Sequence, residues 1–116
     1  MTDERVVRHG TRYRYGKGCT CELCVDAARD YRLRRIYGVT LAQYRGMLVN
    51  QDRKCGACGL EWEGWERNFS VDHDHVTGHV RGLLCQPCNL ALGHAGDSQE
   101  RLLQLVDYLR RHSFGH

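Results

Sequence analysis

Two matched cysteine pairs, Cys55-Gly56-Ala57-Cys58 and Cys85-Gln86-Pro87-Cys88, bracket the part of the chain richest in groups that do chemistry. A Cys-x-x-Cys knuckle presents two thiolates to one ion, and two knuckles complete the tetrahedral shell of zinc. No position stays open for substrate, so the expected site is structural, and its binding energy is folding energy. Between the pairs runs FSVDHDHVTGHVRGLL, and Asn89 directly follows Cys88. Cleaving a phosphodiester needs an attacking water, a base to deprotonate it and a cation to stabilise charge on phosphate and leaving oxygen. Asp72 supplies a hard oxygen ligand suited to magnesium or manganese. His73 is the natural general base, since an imidazole titrates near neutral pH. On a strand, Asp72 and Asp74 point one way and His73 and His75 the other, unless the strand ends there. The plainer alternative is a polar hairpin tip with no chemistry.

A second cluster lies upstream. Cys19, Cys21 and Cys24, with His9 as a fourth ligand, suit a second zinc; the alternative is a flexible arm with three free thiols. Around it Arg5, Arg8, Arg12, Arg14 and Lys17 interleave with Tyr13 and Tyr15, a mixture that suits sequence-tolerant contact with nucleic acid. Arg81 either anchors phosphate or is an exposed strand arginine with no special role. Trp62 and Trp65 read as cover for the core, and His79, His94, His112 and His116 as surface residues.

The segment VDHDHVTGHVRGLLCQPCNLALG resembles the signature of the recombination endonuclease VII family, a branch of the HNH nucleases. YGVTLAQYRGMLVNQDRKCGACG resembles that family's approach to its first knuckle, and together the two cover roughly residues 37–96. The resemblance implies a catalytic set of His73, Asp72, His75 and Asn89. In it Asn89 reaches the same divalent cation (Mg2+ or Mn2+) as Asp72, and His75 contacts the scissile phosphate or orients a neighbour. It further implies a DNA endonuclease acting on branched substrates such as four-way junctions, a homodimer, and a phage or prophage origin. Two rivals stand beside that reading: an HNH nicking or homing-type nuclease on linear duplex, and a zinc-dependent DNA-binding module without catalysis.

The elements that must position these groups are short. At 116 residues the chain buries a limited core, so metal staples are expected to help. Met1 to Gly10 is polar and charged, and no apolar run reaches membrane-spanning length. A cytoplasmic location with reduced thiols follows, and seven cysteines, an odd number, fit metal ligation better than a complete disulfide set. Residues 1–54 hold 12 basic and 6 acidic side chains, or +6, whereas residues 55–116 hold 5 and 8, or −3. A basic half followed by an acidic, His- and Cys-rich half suits a phosphate-gripping arm joined to a cation site.

Residues 1–18 read as irregular. Residues 25–37 read as a helix with Ala27, Ala28, Tyr31 and Ile36 on its inner side, stopped by Gly38. Thr40 and Gln43 form a capping box for a helix ending near Gln51. A loop from Leu60 to Asn68 precedes strands at Phe69–His73 and Val80–Leu84, with turn residues Asp74 to His79 between them. Pro87 opens a short helix that Gly93 closes. Asp97 and Glu100 cap a last helix with an apolar stripe of Leu102, Leu103, Leu105, Val106 and Leu109, set to pack on its own core or on a partner. The predicted fold is small α+β, a zinc-clamped ββα-metal core with flanking helices. Its expected parts are a basic arm with a Cys knuckle and helix (1–37), a nuclease module (38–96) and an amphipathic C-terminal helix (97–116).

Overall fold

A computed structural model describes residues 9–64 and 69–112. It is a small α+β protein with five helices and one two-stranded sheet among the described residues, in two compact units, Met1–Asn50 and Gln51–His116. Arg5, Arg8, Trp65 and His116 lie outside the described residues. No helix among the described residues is long and apolar enough to cross a membrane.

The first unit is helical. Helix α1 spans Arg12–Gly16, where the sequence suggested irregular chain. Thr11 starts it, its hydroxyl accepting from the Arg14 amide at 3.1 Å, and the helix then packs on α2. So short a helix is marginal alone, and tertiary contact supplies what propensity does not. Helix α2 spans Glu22–Tyr37 and starts earlier than expected because the Cys21 sulfur caps it, accepting from the Cys24 amide. Gly38 ends it in the left-handed region at φ 72°, as the sequence implied. Its buried residues are Cys24, Ala28 and Leu33, whereas Ile36 is 61% exposed and Tyr31 is turned outward. The inner face is thus rotated from the expected one. Helix α3 spans Leu41–Asn50 and begins with the expected capping box: the Gln43 amide donates to Thr40 Oγ1 at 3.0 Å, and the Thr40 amide to Gln43 Oε1 at 2.8 Å. Asp30 of α2 adds a further cap, accepting from the Leu41 amide at 2.8 Å.

The second unit carries the hairpin. Strand β1 spans Ser70–His73 and β2 spans Val80–Leu84, antiparallel, with Val71 opposite Leu83 and both buried. Register jumps from Asp72↔Gly82 to His73↔Val80, which leaves Arg81 as an extra residue of β2. A bulge of this kind re-aims a side chain. Asp74 ends the strand alternation by building the turn: its Oδ1 accepts from the Val76 and Thr77 amides at 2.8 and 3.0 Å. Helix α4 spans Gln86–His94 with Pro87 in its first turn, and packs on β1. It continues through Gly93, and the chain reverses at Gly96 (φ 64°) instead. Helix α5 spans Gln99–Arg111 and is capped by Ser98, whose hydroxyl accepts from the Arg101 amide at 3.0 Å. The expected Asp97–Glu100 box therefore does not form; Asp97 sits at φ 58° and is used elsewhere.

Candidate metal centres and the DHDH hairpin

Cys55, Cys58, Cys85 and Cys88 converge, their sulfurs all within 4.8 Å of one another. Cys58 and Cys85 stand 3.6 Å apart, near the edge of a zinc tetrathiolate, about 3.8 Å for Zn–S bonds of about 2.3 Å. Backbone amides of Ala57 and Cys85 point at the Cys55 sulfur, at 3.4 and 3.3 Å. Burial raises the Cys55 thiol, but the amides of Cys58, Cys85 and Ala57 outweigh it and bring it to about 6. Burial, then the neighbouring thiols, push Cys88 up to about 12, and burial likewise raises Cys85. Four thiolates cannot share so small a volume without a cation, and a dication reverses that penalty. The donor set fits zinc.

His9, Cys19, Cys21 and Cys24 form a second cluster of the same size. His9 Nδ1 lies 3.2, 3.5 and 3.6 Å from the sulfurs of Cys21, Cys19 and Cys24. Tetrahedral zinc with three thiolates and one imidazole puts nitrogen about 3.5 Å from each sulfur, so all three distances suit one ion. The Gly10 amide donates to Cys24 Sγ at 3.4 Å. Burial raises the Cys24 thiol, yet the Gly10 amide, Cys21 and His9 together lower it to about 6. Both clusters are thus able to bind structural zinc, and the two ligand sets expected from the sequence are the two that converge.

The hairpin presents the remaining candidates. Asp72 is buried at 9% exposure, and its carboxylate is held by Arg81: Nε donates to Oδ2 at 2.7 Å and Nη2 to Oδ1 at 3.0 Å. Arg81 Nη2 also reaches Asp97 Oδ1 at 3.1 Å. Hydrogen bonds donated to Asp72 and then to Asp97 raise the Arg81 guanidinium beyond its already high ordinary value. Asp72 and Asp97 thus share one guanidinium across the bulge. The sequence alone gives Arg81 no fixed role and Asp97 that of a helix cap; what links them is the bulge, which no local pattern announces.

His73 is half-buried at the end of β1, opposite Val80, and His75 is exposed in the turn. Asn89 is half-buried in α4 and lines a cleft together with Ser70, Glu61 and Glu63. Ser70 and Asp72 are alternate residues of β1 and share a face of it. Trp62 is half-buried with the Arg53 guanidinium 5.8 Å from its ring centre, and His79, His94 and His112 are exposed. Gln51 is a residue the sequence reading missed. Its amide group pairs with β2 as another strand would: Oε1 accepts from the Leu83 amide at 2.8 Å, and Nε2 donates to the Leu83 and Lys54 carbonyls at 3.0 and 2.8 Å. A Cβ at Gly82 would lie 2.9 Å from Gln51 Oε1, so a larger residue there would press on this hydrogen-bonded amide.

Comparison with known proteins matches residues 29–111 to the recombination endonuclease VII family. The chain is 43% identical over 83 residues to the Gene 59 protein of Mycobacterium phage D29, covering 71% of this chain and 50% of that protein. It is 40% identical over 81 residues to the Gene 59 protein of Mycobacterium phage L5, covering 69% and 49%. The chain thus spans about half the length of these relatives. No solved structure matches it.

Proposed function

This chain belongs to the recombination endonuclease VII family, and we propose on that footing that it is a metal-dependent DNA endonuclease of the HNH type, built on a ββα-metal core. The observation that carries the reading is a buried carboxylate, Asp72, next to His73 on a strand against which the Asn89-bearing helix packs. The proposed module is residues 38–96, with residues 1–37 a basic arm and residues 97–116 a C-terminal part that carries the amphipathic helix α5.

Asp72 and Asn89 would hold the catalytic Mg2+ or Mn2+, a carboxylate and a neutral amide oxygen being apt donors for a hard ion. Arg81 engages both Asp72 oxygens, so an ion there would have to share the carboxylate with the guanidinium. The bound ion would supply charge stabilisation on the phosphate and the leaving oxygen. His73 takes the proton from the attacking water, and His75 contacts the scissile phosphate or orients a neighbour. Asp97, 3.1 Å from Arg81 Nη2, offers the guanidinium a second carboxylate where Asp72 is shared.

The proposed substrate is branched DNA arising in phage recombination, processed by a homodimer in the cytoplasm of a bacterial host. Helix α5 supports the dimer, since Leu105 and Val106 of its apolar stripe are 53% and 41% exposed. One observation favours a second reading: both Asp72 oxygens are engaged by Arg81, as suits a zinc-dependent DNA-binding module without catalysis. Nicking of supercoiled plasmid with added Mg2+ or Mn2+ separates the two. The nuclease nicks and its His73→Ala variant does not; a wild-type chain with full zinc and no nicking would leave the binding module. Cleaving a four-way junction faster than matched linear duplex supports the branched substrate, and equal rates support a nicking or homing-type enzyme.

A further inference from the structure

The helical unit is strongly basic even without its first eight residues. Residues 9–50 hold Arg12, Arg14, Lys17, Arg29, Arg32, Arg34, Arg35 and Arg45 against Glu22, Asp26 and Asp30, or 8 − 3 = +5. Two of the three acids of α2 are already committed. Asp26 takes Arg45 at 3.0 Å and Arg29 at 3.7 Å, and Asp30 takes Arg34 at 2.7 Å. Arg12, Arg32 and Arg35 have no carboxylate partner among the described residues, and all three line one groove between α1 and α2, with Tyr15, Tyr31 and Ala28. Among the described residues, no acidic side chain lines that groove.

Tyr31 organises the groove. The Arg12 guanidinium sits 3.5 Å from its ring centre, and that of Arg35 5.9 Å. Stacking on an aromatic face holds a guanidinium flat and leaves its N–H fork free to meet an anion. Arg32 and Arg35 are three residues apart on α2, neighbours on one helix face with Cβ atoms about 5–6 Å apart. The His9, Cys19, Cys21 and Cys24 cluster brackets α1 and meets the start of α2, so a zinc there fixes Arg12 relative to Arg32 and Arg35.

We infer that this groove, with Arg12, Arg32 and Arg35 set around Tyr31, is a docking surface for the sugar–phosphate backbone of duplex DNA. The choice of DNA as ligand rests on the nuclease reading; the cationic groove does not. Arginine forks suit phosphate oxygens bidentately. With one face of Tyr31 covered by Arg12, the ring serves as a shelf for a cation and not as a platform for bases. Binding at this face therefore tolerates any sequence.

The test is duplex binding by fluorescence anisotropy in magnesium-free buffer across a salt series, with the zinc-loaded full chain. Each phosphate-contacting arginine contributes about 1 to the slope of log affinity against log salt, so Arg12→Ala/Arg32→Ala/Arg35→Ala flattens it by about 3 on every sequence tried. Arg32→Ala and Arg35→Ala, both at exposed positions, each flatten it by about 1 and keep the test open if the triple variant fails to fold. Arg34→Ala, whose guanidinium is held by Asp30, leaves it unchanged. Single variants with native helix content and zinc but the wild-type slope overturn the inference. Plasmid nicking is scored separately: nicking without these slope changes removes the groove and keeps the nuclease, and slope changes without nicking do the reverse.

Discussion

Arg81 grips Asp72 with two parallel hydrogen bonds, 2.7 and 3.0 Å long, while one nitrogen of the same guanidinium leans on Asp97 at 3.1 Å. A bidentate fork on a buried carboxylate is the strong form of ion pair, because both oxygens are satisfied and the geometry is fixed. The second carboxylate makes the arrangement a shared one. Positive charge at the hairpin is thus held between two acids, one on β1 and one in the turn before α5.

Removing the guanidinium strands the Asp72 charge in a nearly closed site. Arg81→Ala should cost about 1–2 kcal/mol in urea unfolding, a figure set below that of a fully buried pair because Arg81 is 37% exposed. Under the nuclease reading, Mn2+ should then restore more stability to the variant than it adds to the wild type, since the carboxylate is open to it. An equal Mn2+ effect on both proteins would argue that Asp72 holds no divalent ion.

His73 and His75 differ in setting as well as in proposed role. His73 ends β1 and is half-buried; His75 is exposed in the turn that Asp74 builds. Loss of a general base typically costs about 10²–10⁴ in rate, so His73→Ala should lower single-turnover cleavage by that order with zinc content and thermal unfolding unchanged. His75→Ala should cost less. Wild-type turnover in the His73 variant would remove it as the base.

The two Cys and His clusters were legible because thiol spacing is a local property. Cys55, Cys58, Cys85 and Cys88 converge as their two knuckles imply, and His9 completes the second cluster from ten residues before Cys19. The hairpin strands and the Thr40–Gln43 cap were legible for the same reason: each is written within a few residues. What escaped depends on residues far apart in sequence. Arg81 takes its role from a bulge that turns it toward Asp72 and from Asp97, sixteen residues on. Helix α1 carries no periodicity of its own and exists through its contact with α2. The inner face of α2 was misjudged at Ile36 because Leu33 takes the buried position, while Tyr31 serves Arg12 outside.

Native mass spectrometry should find two zinc ions per chain, one for each cluster. His9→Ala should lower the count to one, and Cys85→Ser should remove the other together with the hairpin's cooperative unfolding. Apparent zinc-binding energies of about 10–16 kcal/mol match or exceed the roughly 5–15 kcal/mol stability of a whole domain, so stripped protein should be largely unfolded. A chain that keeps its circular dichroism and melting temperature after verified zinc removal would contradict a folding role for either ion.

Gln51 offers a test that involves neither metal nor substrate. Its side chain makes three hydrogen bonds to the backbone of Leu83 and Lys54, tying the start of the Cys55 knuckle to β2, the strand that leads into Cys85. Gln51→Ala removes all three and strands the Leu83 amide, while the Leu83 carbonyl keeps the Gly56 amide at 2.9 Å, so a loss of about 2–3 kcal/mol is expected, each bond contributing about 0.5–1.5 kcal/mol. Gly82→Ala attacks the same contact from the other side, since its Cβ would meet Gln51 Oε1 at 2.9 Å. If the clash acts through Gln51, the double variant Gln51→Ala/Gly82→Ala should be no less stable than Gln51→Ala alone, and a thermodynamic cycle over the four proteins should give a coupling of about 1 kcal/mol or more. Additive losses would mean that Gly82 is required by the bulge itself, independently of Gln51.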